Sequence, residues 1–337
     1  MKAYSLYGIG DLRYVDIDKP QLPAGWALVE IKTCGICSSD IPRIFTKGTY
    51  AFPTVPGHEF SGIVVKTAER SDAAWIGKRV SVFPLIPCGE CEQCKHKHYE
   101  MCEHYNYLGS RCNGGMAEYA AVPVWNLIEL NDATGFEEGA LFEPLSVALH
   151  CVNRASLCGG ESVAVIGSGT IAFAVGQWAK VKGADKVFII GRSDYKKRIA
   201  DKMGLRFAVD SDVADTLFDV VIEAVGSQTT LRSAIEHAAA GGKVVLMGNP
   251  EGDMLLPQNV YWRILRKQLH ISGTWNSSYD GRHKSEWYDV RNALSENAIN
   301  TDALISHRFD QTELVRGLEI MRDYKEPYCK IMTLWNK

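Results

Sequence analysis

Val55-Pro56-Gly57-His58-Glu59-Phe60-Ser61-Gly62 comes shortly after Cys34-Gly35-Ile36-Cys37-Ser38-Ser39-Asp40 in this sequence. The two stretches place a thiol, an imidazole and carboxylates beside turn-forming Gly and Pro residues. These groups are zinc ligands when loops bring them together. Three protein ligands and one open position would make such a zinc catalytic, whereas four protein ligands would make it structural.

Length and composition are those of an ordinary globular protein. The chain has 337 residues, which exceeds one ordinary core and predicts two domains. It is 46% apolar and 23% charged, and its formal charge of −3 argues against a nucleic-acid or membrane partner. No apolar run has the roughly eighteen residues of a membrane span. Since Met1-Lys2-Ala3-Tyr4 begins no signal peptide, we expect a cytoplasmic protein.

The first 140 or so residues predict a β-rich unit with many Gly and Pro breaks. Residues 26–32 alternate between apolar and polar side chains, which is typical of a half-buried strand. Residues 62–65 and 78–82 predict further strands of the same kind.

The pattern changes near Phe142, where a helix is predicted with Pro144 in its first turn. Continuous apolar runs then alternate with segments long enough for crossover helices, at 163–166, 186–190, 219–222 and 243–247. Runs of this kind are typical of parallel strands covered on both faces. We therefore predict an α/β doubly wound parallel sheet.

The pattern weakens after about Thr274. A helix is predicted from Asp310, with Glu313 completing a capping box and with Leu314, Leu318 and Met321 on one face. A last strand is predicted at 330–334. We expect this tail to return to the first domain, so that 1–148 and 276–337 form one domain and 149–275 the other.

Cys88-x2-Cys91-x2-Cys94-x7-Cys102 predicts a structural zinc lobe at about residues 86–104. Four thiolates at this spacing can surround Zn²⁺ and leave no open position. Free thiols or disulfides are the alternative, which the missing secretion signal disfavours. The lobe is expected to serve stability or subunit contact. The isolated cysteines are interpreted as small apolar residues, namely Cys112, Cys151, Cys158 and Cys329.

Gly167-Ser168-Gly169-Thr170-Ile171-Ala172 matches the G-x-G-x-x-A pattern of a dinucleotide-binding loop. Gly167 permits the tight turn, Gly169 admits the pyrophosphate, and Ala172 keeps helix and strand close. The start of the following helix favours the phosphate charge. Further cofactor contacts are predicted in this loop and at later strand ends, at Thr170, Ile171, Val225 and Gly248.

The segment after the second predicted strand bears on the choice between NAD and NADP. An acidic residue normally binds the ribose 2′-hydroxyl there. In this chain Gly191-Arg192-Ser193 follows the strand, and the nearest acid, Asp194, is placed to cap the next helix. Arg192 and Ser193, with Lys196 or Lys197, are candidates to bind a 2′-phosphate. We therefore predict that the protein prefers NADP to NAD. The alternative is that these basic side chains form a solvent-exposed helix face and bind no phosphate.

Together these motifs resemble the zinc-dependent medium-chain dehydrogenase/reductase superfamily, over essentially the whole chain. Residues 113–119 and Phe142-Glu143-Pro144 add to the resemblance. Within it, the chain is similar to the polyol branch, which includes sorbitol dehydrogenases and galactitol-1-phosphate 5-dehydrogenases, at 40–45, 84–88, 108–111 and 264–267. Residues 191–196 are instead similar to ribitol-5-phosphate dehydrogenases that use NADP. The resemblance implies a GroES-like catalytic domain, a Rossmann cofactor domain, and a homodimer or homotetramer.

The resemblance also implies residue roles. Cys37, His58 and Glu143 would ligate a catalytic zinc, Glu59 would be a close or exchanging ligand, and Ser39 would relay a proton. The implied reaction is hydride transfer between a polyol or polyol phosphate and NAD(P), in a cleft between the domains. A phosphorylated polyol needs cationic anchors, and the candidate substrate contacts are Arg43, Lys47, Arg111 and Trp275. For Arg111 the alternative is a structural ion pair. Two alternatives remain open: a dehydrogenase of a free polyol or another secondary alcohol, and a cofactor-binding or redox-sensing protein without turnover.

Overall fold

The computed structural model describes residues 1–250, 252–281 and 285–336. The chain divides into two compact units. The first comprises Met1–Glu143, Ser278–Asn297 and the residues from Ile305 onward, and the second comprises Pro144–Ser277 and Ala298–Leu304. Two hydrogen bonds join residues 298–304 to the second unit. The side-chain N–H of Gln177 donates to the backbone oxygen of Asn300, and the backbone N–H of Asn300 donates to the side-chain oxygen of Gln177. The domain boundaries expected from the sequence remain a prediction.

The elements up to residue 140 are mostly strands. These are β1 (Lys2–Gly8), β2 (Asp11–Asp16), β3 (Trp26–Ile36), β4 (Glu59–Thr67), β5 (Arg79–Val82), β6 (Leu85–Ile86), β7 (Asn106–Tyr107), β8 (Tyr119–Pro123) and β9 (Leu127–Glu129). The helices here are α1 (Asp40–Phe45), α2 (Glu92–Lys95) and α3 (Phe136–Ala140), with 3₁₀ turns at Arg70–Trp75, Tyr99–Met101 and Val124–Asn126.

Helices and strands then alternate. The order is α4 (Phe142–Ala155), β10 (Ser162–Ile166), α5 (Thr170–Val181), β11 (Lys186–Ile190), α6 (Asp194–Lys202), β12 (Arg206–Ala208), β13 (Phe218–Glu223), α7 (Gln228–His237), β14 (Ala238–Leu246), α8 (Gln258–Lys267) and β15 (His270–Gly273), with a 3₁₀ turn at Asp210–Val213. The remaining elements are α9 (Glu286–Ser295), β16 (Ile305–Asp310), a 3₁₀ turn (Gln311–Glu313), α10 (Leu314–Asp323) and β17 (Lys330–Leu334).

The first unit is built around β3, the longest of its strands. One edge of β3 pairs with β4, and the other edge is shared by β8 and β17. The resulting seven-stranded sheet runs β16-β17-β3-β4-β5-β9, with β8 off this path. The alternating apolar side chains of β3 and β4 are fully buried, among them Val29, Ile31, Phe60 and Val64. The pairing of β17 with β3 returns the tail to the first unit, as expected.

The second unit is a six-stranded sheet in the order β12-β11-β10-β13-β14-β15. Every neighbouring pair in it is parallel. This strand order is that of the dinucleotide-binding doubly wound fold, in which both faces are covered by helices. The central strands accordingly contain continuous apolar runs, with Ala164, Val221 and Val244 fully buried. The predicted α/β class and the four predicted strands are confirmed.

The predicted helix from Asp310 is wrong at its start. The Asp310 carboxylate accepts hydrogen bonds from the backbone N–H of Thr312, at 3.1 Å, and from its hydroxyl. It thereby caps a short 3₁₀ turn, and the α-helix itself begins at Leu314. The predicted apolar face of this helix is correct, since Leu314, Leu318 and Met321 are buried.

Candidate metal centre and cofactor site

Among the residues that the structure describes, two groups of side chains bring three or more metal-ligating atoms within 4.8 Å of one another. The first group, here called the mixed cluster, consists of Cys37, His58 and Glu59. Cys37 directly follows β3, and His58 and Glu59 lie at the start of β4. Antiparallel pairing of Gly35 with Glu59 brings these strand ends together. Pairing of two distant segments therefore assembles the cluster.

Asp40 holds two members of the mixed cluster in place, and its role was missed in the sequence. The fully buried carboxylate accepts a hydrogen bond from the backbone N–H of Cys37 at 3.0 Å and one from Arg43 at 2.9 Å. Its Oδ1 atom lies 3.6 Å from Nδ1 of His58, a buried atom without a hydrogen-bond partner. A carboxylate facing the second ring nitrogen is how proteins orient a metal-bound imidazole.

Lys330 is a second missed residue. Its ammonium group lies 2.5 and 2.7 Å from the two carboxylate oxygens of Glu59, and both side chains are almost fully buried. Burial alone would lower the pKa of Lys330, but the negative charges of Glu59 and Cys37 outweigh it and raise the pKa. The sequence signal was a single charged residue in the otherwise uncharged strand β17.

Glu143, the third predicted zinc ligand, lies outside the set whose atoms are all within 4.8 Å. Glu143 is the second residue of α4 and is 8% exposed. Its carboxylate accepts a hydrogen bond from the hydroxyl of Tyr107 at 3.1 Å. The ring of Tyr107 also lies against His58, with 5.7 Å between ring centroids. Tyr107 therefore links Glu143 to the mixed cluster, and the ligand role of Glu143 stays a prediction.

The electrostatics of the mixed cluster fit a divalent cation. Burial, followed by the charge of Glu59, raises the pKa of Cys37 to about 11. Burial also raises the pKa of Glu143 to about 8, although His58 acts in the opposite direction. The protein's own buried cation, Lys330, already pairs with Glu59. A bound dication would stabilise the thiolate and carboxylate that burial otherwise disfavours.

Ser39 lies at the mixed cluster. Its hydroxyl is 3.3 Å from Sγ of Cys37, and its side chain is partly exposed. The hydroxyl is thus next to the sulfur and also within reach of solvent.

The second group, the thiol lobe, consists of Cys88, Cys91, Cys94 and Cys102. Three of its sulfur–sulfur distances are 3.5, 3.8 and 3.9 Å. Sulfurs at the corners of a tetrahedron around Zn²⁺, with bonds of about 2.3 Å, would be about 3.8 Å apart. Backbone N–H groups of Glu103 and Cys94 lower the pKa of Cys91 to about 6, whereas burial raises that of Cys94 to about 12. The lobe therefore fits a metal that would stabilise the remaining thiolates.

The glycine loop lies between β10 and α5, as the sequence predicts. Gly167 has φ of +125°, a conformation that side chains rarely adopt. A Cβ atom added at Gly169 would meet nothing within 4 Å, so the backbone there is open to a ligand. Helix α5 begins at Thr170 and Ile171, and buried Ala172 packs it close to the sheet. The arrangement can hold a pyrophosphate at a helix start.

Glu223, at the end of β13, orders two further loops and was not singled out from the sequence. Its buried carboxylate accepts hydrogen bonds from the backbone N–H groups of Val225 and Gly226, at 2.9 and 2.8 Å. Its backbone oxygen accepts from Gly248, after β14. The predicted contacts Val225 and Gly248 are thus neighbours at the carboxyl ends of adjacent strands, where such sheets bind ligands.

The segment after β11 carries no acid at its first position. A Cβ atom added at Gly191 would lie 2.8 Å from the ring of Phe207 and 2.9 Å from Cβ of Ser168. Ser193 precedes α6, and Lys197 lies in its first turns. Among the described residues, Arg192 has no carboxylate within 4.0 Å, which leaves its guanidinium free for an anion.

The candidate substrate contacts differ in their surroundings. Arg43 is engaged by Asp40, whereas Lys47 is exposed. Arg111 lies between the rings of two tyrosines in the first unit. Trp275 lies in the second unit and is 55% exposed.

Two family models match the chain. The alcohol dehydrogenase GroES-like domain matches residues 23–132, and the zinc-binding dehydrogenase model matches residues 170–296. Galactitol 1-phosphate 5-dehydrogenase from Escherichia coli (strain K12) is 32% identical over 291 residues, which cover 83% of this chain and 84% of the relative. The chain belongs to the zinc-binding alcohol dehydrogenases. It is therefore an oxidoreductase that acts on CH–OH groups of small-molecule alcohols.

Other members of this alcohol dehydrogenase family are comparably similar. L-threonine 3-dehydrogenase from Yersinia pestis (strain Pestoides F) is 30% identical over 337 residues, covering 95% of each chain. The crystal structure of galactitol-1-phosphate dehydrogenase from Escherichia coli superposes with a TM-score of 0.91 at 30% identity, covering 99% of this chain and 100% of that one. The crystal structure of a zinc-binding dehydrogenase from Sinorhizobium meliloti 1021 bound to NADP superposes with a TM-score of 0.87 at 29% identity. The match covers 99% of this chain and 98% of that one. The predicted GroES-like and Rossmann-type architecture is confirmed.

None of the helices within the described residues has the length and apolar character needed to cross a membrane.

Proposed function

We propose that this dehydrogenase transfers hydride between a secondary alcohol of a polyol, preferably a polyol phosphate, and a nicotinamide cofactor, with NADP preferred over NAD. The observation that carries the proposal is the buried mixed cluster, in which ligand atoms of Cys37, His58 and Glu59 lie within 4.8 Å of one another. The similarity to galactitol 1-phosphate 5-dehydrogenase supports the substrate class.

In this proposal Cys37, His58 and Glu143 hold a catalytic zinc, and Glu59 is a close or exchanging ligand. Bound zinc supplies Lewis acidity, which lowers the pKa of an alcohol toward neutrality. Asp40 orients the imidazole, and Lys330 neutralises Glu59 so that the pocket can hold its anions.

Ser39 receives the proton of the substrate hydroxyl in this mechanism and passes it toward solvent. The partly exposed hydroxyl beside Cys37 supports that role. The hydride acceptor is the nicotinamide, whose redox chemistry belongs to the cofactor. Gly167, Gly169 and the start of α5 bind its pyrophosphate.

The preference for NADP rests on Gly191 and Arg192. An aspartate at position 191 would collide with Phe207 and Ser168, so the acid that selects NAD does not fit without rearrangement. The guanidinium of Arg192 has no carboxylate partner among the described residues and, with Ser193 and Lys197, is available for a 2′-phosphate. Replacing Arg192→Gln is expected to lower kcat/KM for NADP by about 10-fold or more and to leave NAD nearly unchanged. Arg198→Gln, in the following helix α6, is the matched control.

The test of the proposed function is a substrate panel with purified, zinc-loaded protein. Galactitol 1-phosphate, galactitol, sorbitol, xylitol and L-threonine would each be assayed with NAD and with NADP. We expect the highest kcat/KM for the polyol phosphate with NADP. Turnover of L-threonine alone would refute the polyol class. A large preference for NAD would refute only the cofactor assignment.

A further inference from the structure

The turn that carries Arg111 is fastened to the loop that carries His58. A Cβ atom added at Gly109, where φ is +81°, would lie 2.4 Å from the backbone oxygen of Gly57. The same oxygen accepts a hydrogen bond from the N–H of Gly115 at 2.9 Å. The two backbones therefore touch directly, and Arg111 is held at a fixed position relative to the mixed cluster.

The guanidinium of Arg111 is held between two aromatic rings. Its central carbon lies 4.4 Å from the ring centroid of Tyr50 and 4.2 Å from that of Tyr105. Nη1 donates to the backbone oxygen of Tyr105 at 3.0 Å, and Nη2 donates to the hydroxyl of Tyr50 at 3.4 Å. The Thr49 hydroxyl bonds to the carbonyl of Ser110, which ties the Tyr50 segment to this turn. The side chain is thus ordered before any ligand arrives.

The charge of Arg111 is not balanced by the protein. Among the described residues no carboxylate lies within 4.0 Å of its guanidinium. Arg13 differs from Arg111 in this respect, since it lies 4.6 Å from the ring of Tyr7 and also 2.6 Å from Asp11. A guanidinium has five N–H donors, and those of Arg111 that the protein leaves unused can bind a planar or tetrahedral anion.

Tyr107 spans the distance between Arg111 and the mixed cluster. Its backbone oxygen accepts from the N–H of Arg111 at 2.9 Å, and its hydroxyl donates to Glu143 at 3.1 Å. The backbone of Arg111 is therefore about one tyrosine side chain away from Glu143. A polyol chain can bridge such a gap, with an alcohol at one end and an anionic group at the other.

We infer that Arg111, clamped by Tyr50 and Tyr105, binds the phosphate of a polyol phosphate and so selects phosphorylated over free polyols. The inference rests on the proposed dehydrogenase function and adds the residue that sets its substrate class. Phosphate suits the site because it offers two or three acceptor oxygens to the fork of an arginine. Arg43 is not the anchor, because Asp40 already holds it.

The test compares galactitol 1-phosphate with galactitol in the wild type and in Arg111→Gln. A charged hydrogen bond contributes about 1.5–3 kcal/mol, so we expect kcat/KM for the phosphate to fall on the order of 10- to 100-fold. For galactitol it should change less than about threefold. Inorganic phosphate should inhibit the wild type competitively with the polyol phosphate and should inhibit Arg111→Gln much less. Arg13→Gln, which removes a stacked and paired arginine elsewhere, is the matched control.

Two further variants keep the test decisive. Arg111→Lys retains the positive charge but lacks the planar fork of donors. Its kcat/KM for galactitol 1-phosphate should lie between the values of the wild type and of Arg111→Gln. Tyr50→Leu removes one of the two rings that contact the Arg111 guanidinium. It should lower kcat/KM for galactitol 1-phosphate more than for galactitol. Equal losses for galactitol and its phosphate, or unchanged inhibition by inorganic phosphate, would overturn the inference while leaving the dehydrogenase function intact. A wild type that turns over neither polyol would instead refute the proposed function.

Discussion

The mixed cluster and the thiol lobe are both candidate metal sites, but they are assembled in different ways. All four sulfurs of the lobe come from residues 88–102, whereas the mixed cluster joins the end of β3 to the start of β4. Charged side chains lie next to the ligands of the mixed cluster, such as Asp40 beside His58 and Lys330 beside Glu59. We expect the four thiols of the lobe to depend on a bound metal for their positions. The ligands of the mixed cluster are instead positioned by neighbouring protein side chains before any metal binds.

The strongest test of this comparison is Cys37→Ser. Loss of the thiolate should remove one zinc per chain and lower kcat at least about 1,000-fold, since the lost Lewis acid supplies several kcal/mol. Metal analysis and steady-state assays would measure both changes. Binding of the dinucleotide, followed by fluorescence, should persist. Full activity in this variant would contradict the zinc assignment.

Lys330→Met tests whether the protein orders the mixed cluster itself. It leaves the buried Glu59 carboxylate without its partner, and breaking such a pair costs about 3–5 kcal/mol. Urea unfolding should show that loss. The double variant Lys330→Met with Glu59→Gln removes both charges and should recover much of the stability. If both variants unfold like the wild type, the ion pair contributes nothing to the site.

Ser39→Ala separates proton relay from metal binding within the mixed cluster. We expect kcat to fall about 10²-fold, as for a lost general acid–base group, with two zinc ions per chain retained. Ser38→Ala, one residue away and exposed, is the control. An unchanged kcat would remove Ser39 from the mechanism.

Cys94→Ser should have the smallest effect on turnover. The lobe would lose its zinc and its order, so hydrogen exchange of the backbone around residues 88–102 should accelerate. The midpoint of thermal unfolding should fall by a few degrees, while kcat per folded chain stays within about threefold. A loss of turnover as deep as that of Cys37→Ser would show that the two sites are not independent.

Local patterns predicted much of the fold. The alternation at 26–32 identifies β3, and the apolar runs identify the parallel strands, because sheet position dictates which faces are buried. The start of the helix predicted at Asp310 is wrong because the Asp310 carboxylate caps a 3₁₀ turn that precedes the helix. Nothing in side-chain periodicity distinguishes these two outcomes.

The candidate site was predictable where its residues are adjacent in the sequence. The spacing of the four cysteines and of Gly167-Ser168-Gly169 carries the geometry by itself. The ion pair of Lys330 with Glu59 does not follow from any local pattern, since β17 reaches β3 only in the folded sheet. That no carboxylate of the described residues pairs with Arg111 likewise becomes visible only in the folded structure.

The ion pair of Glu59 and Lys330 has a consequence for biosynthesis. Lys330 follows Glu59 by 271 residues, so a ribosome adding about 5–20 residues per second makes it roughly 14–54 s later. During that interval the nascent first sheet has no strand β17, and Glu59 has no ammonium group from Lys330 to pair with. The surroundings of the mixed cluster are therefore complete only at the end of translation, whereas the four cysteines of the thiol lobe have by then long emerged.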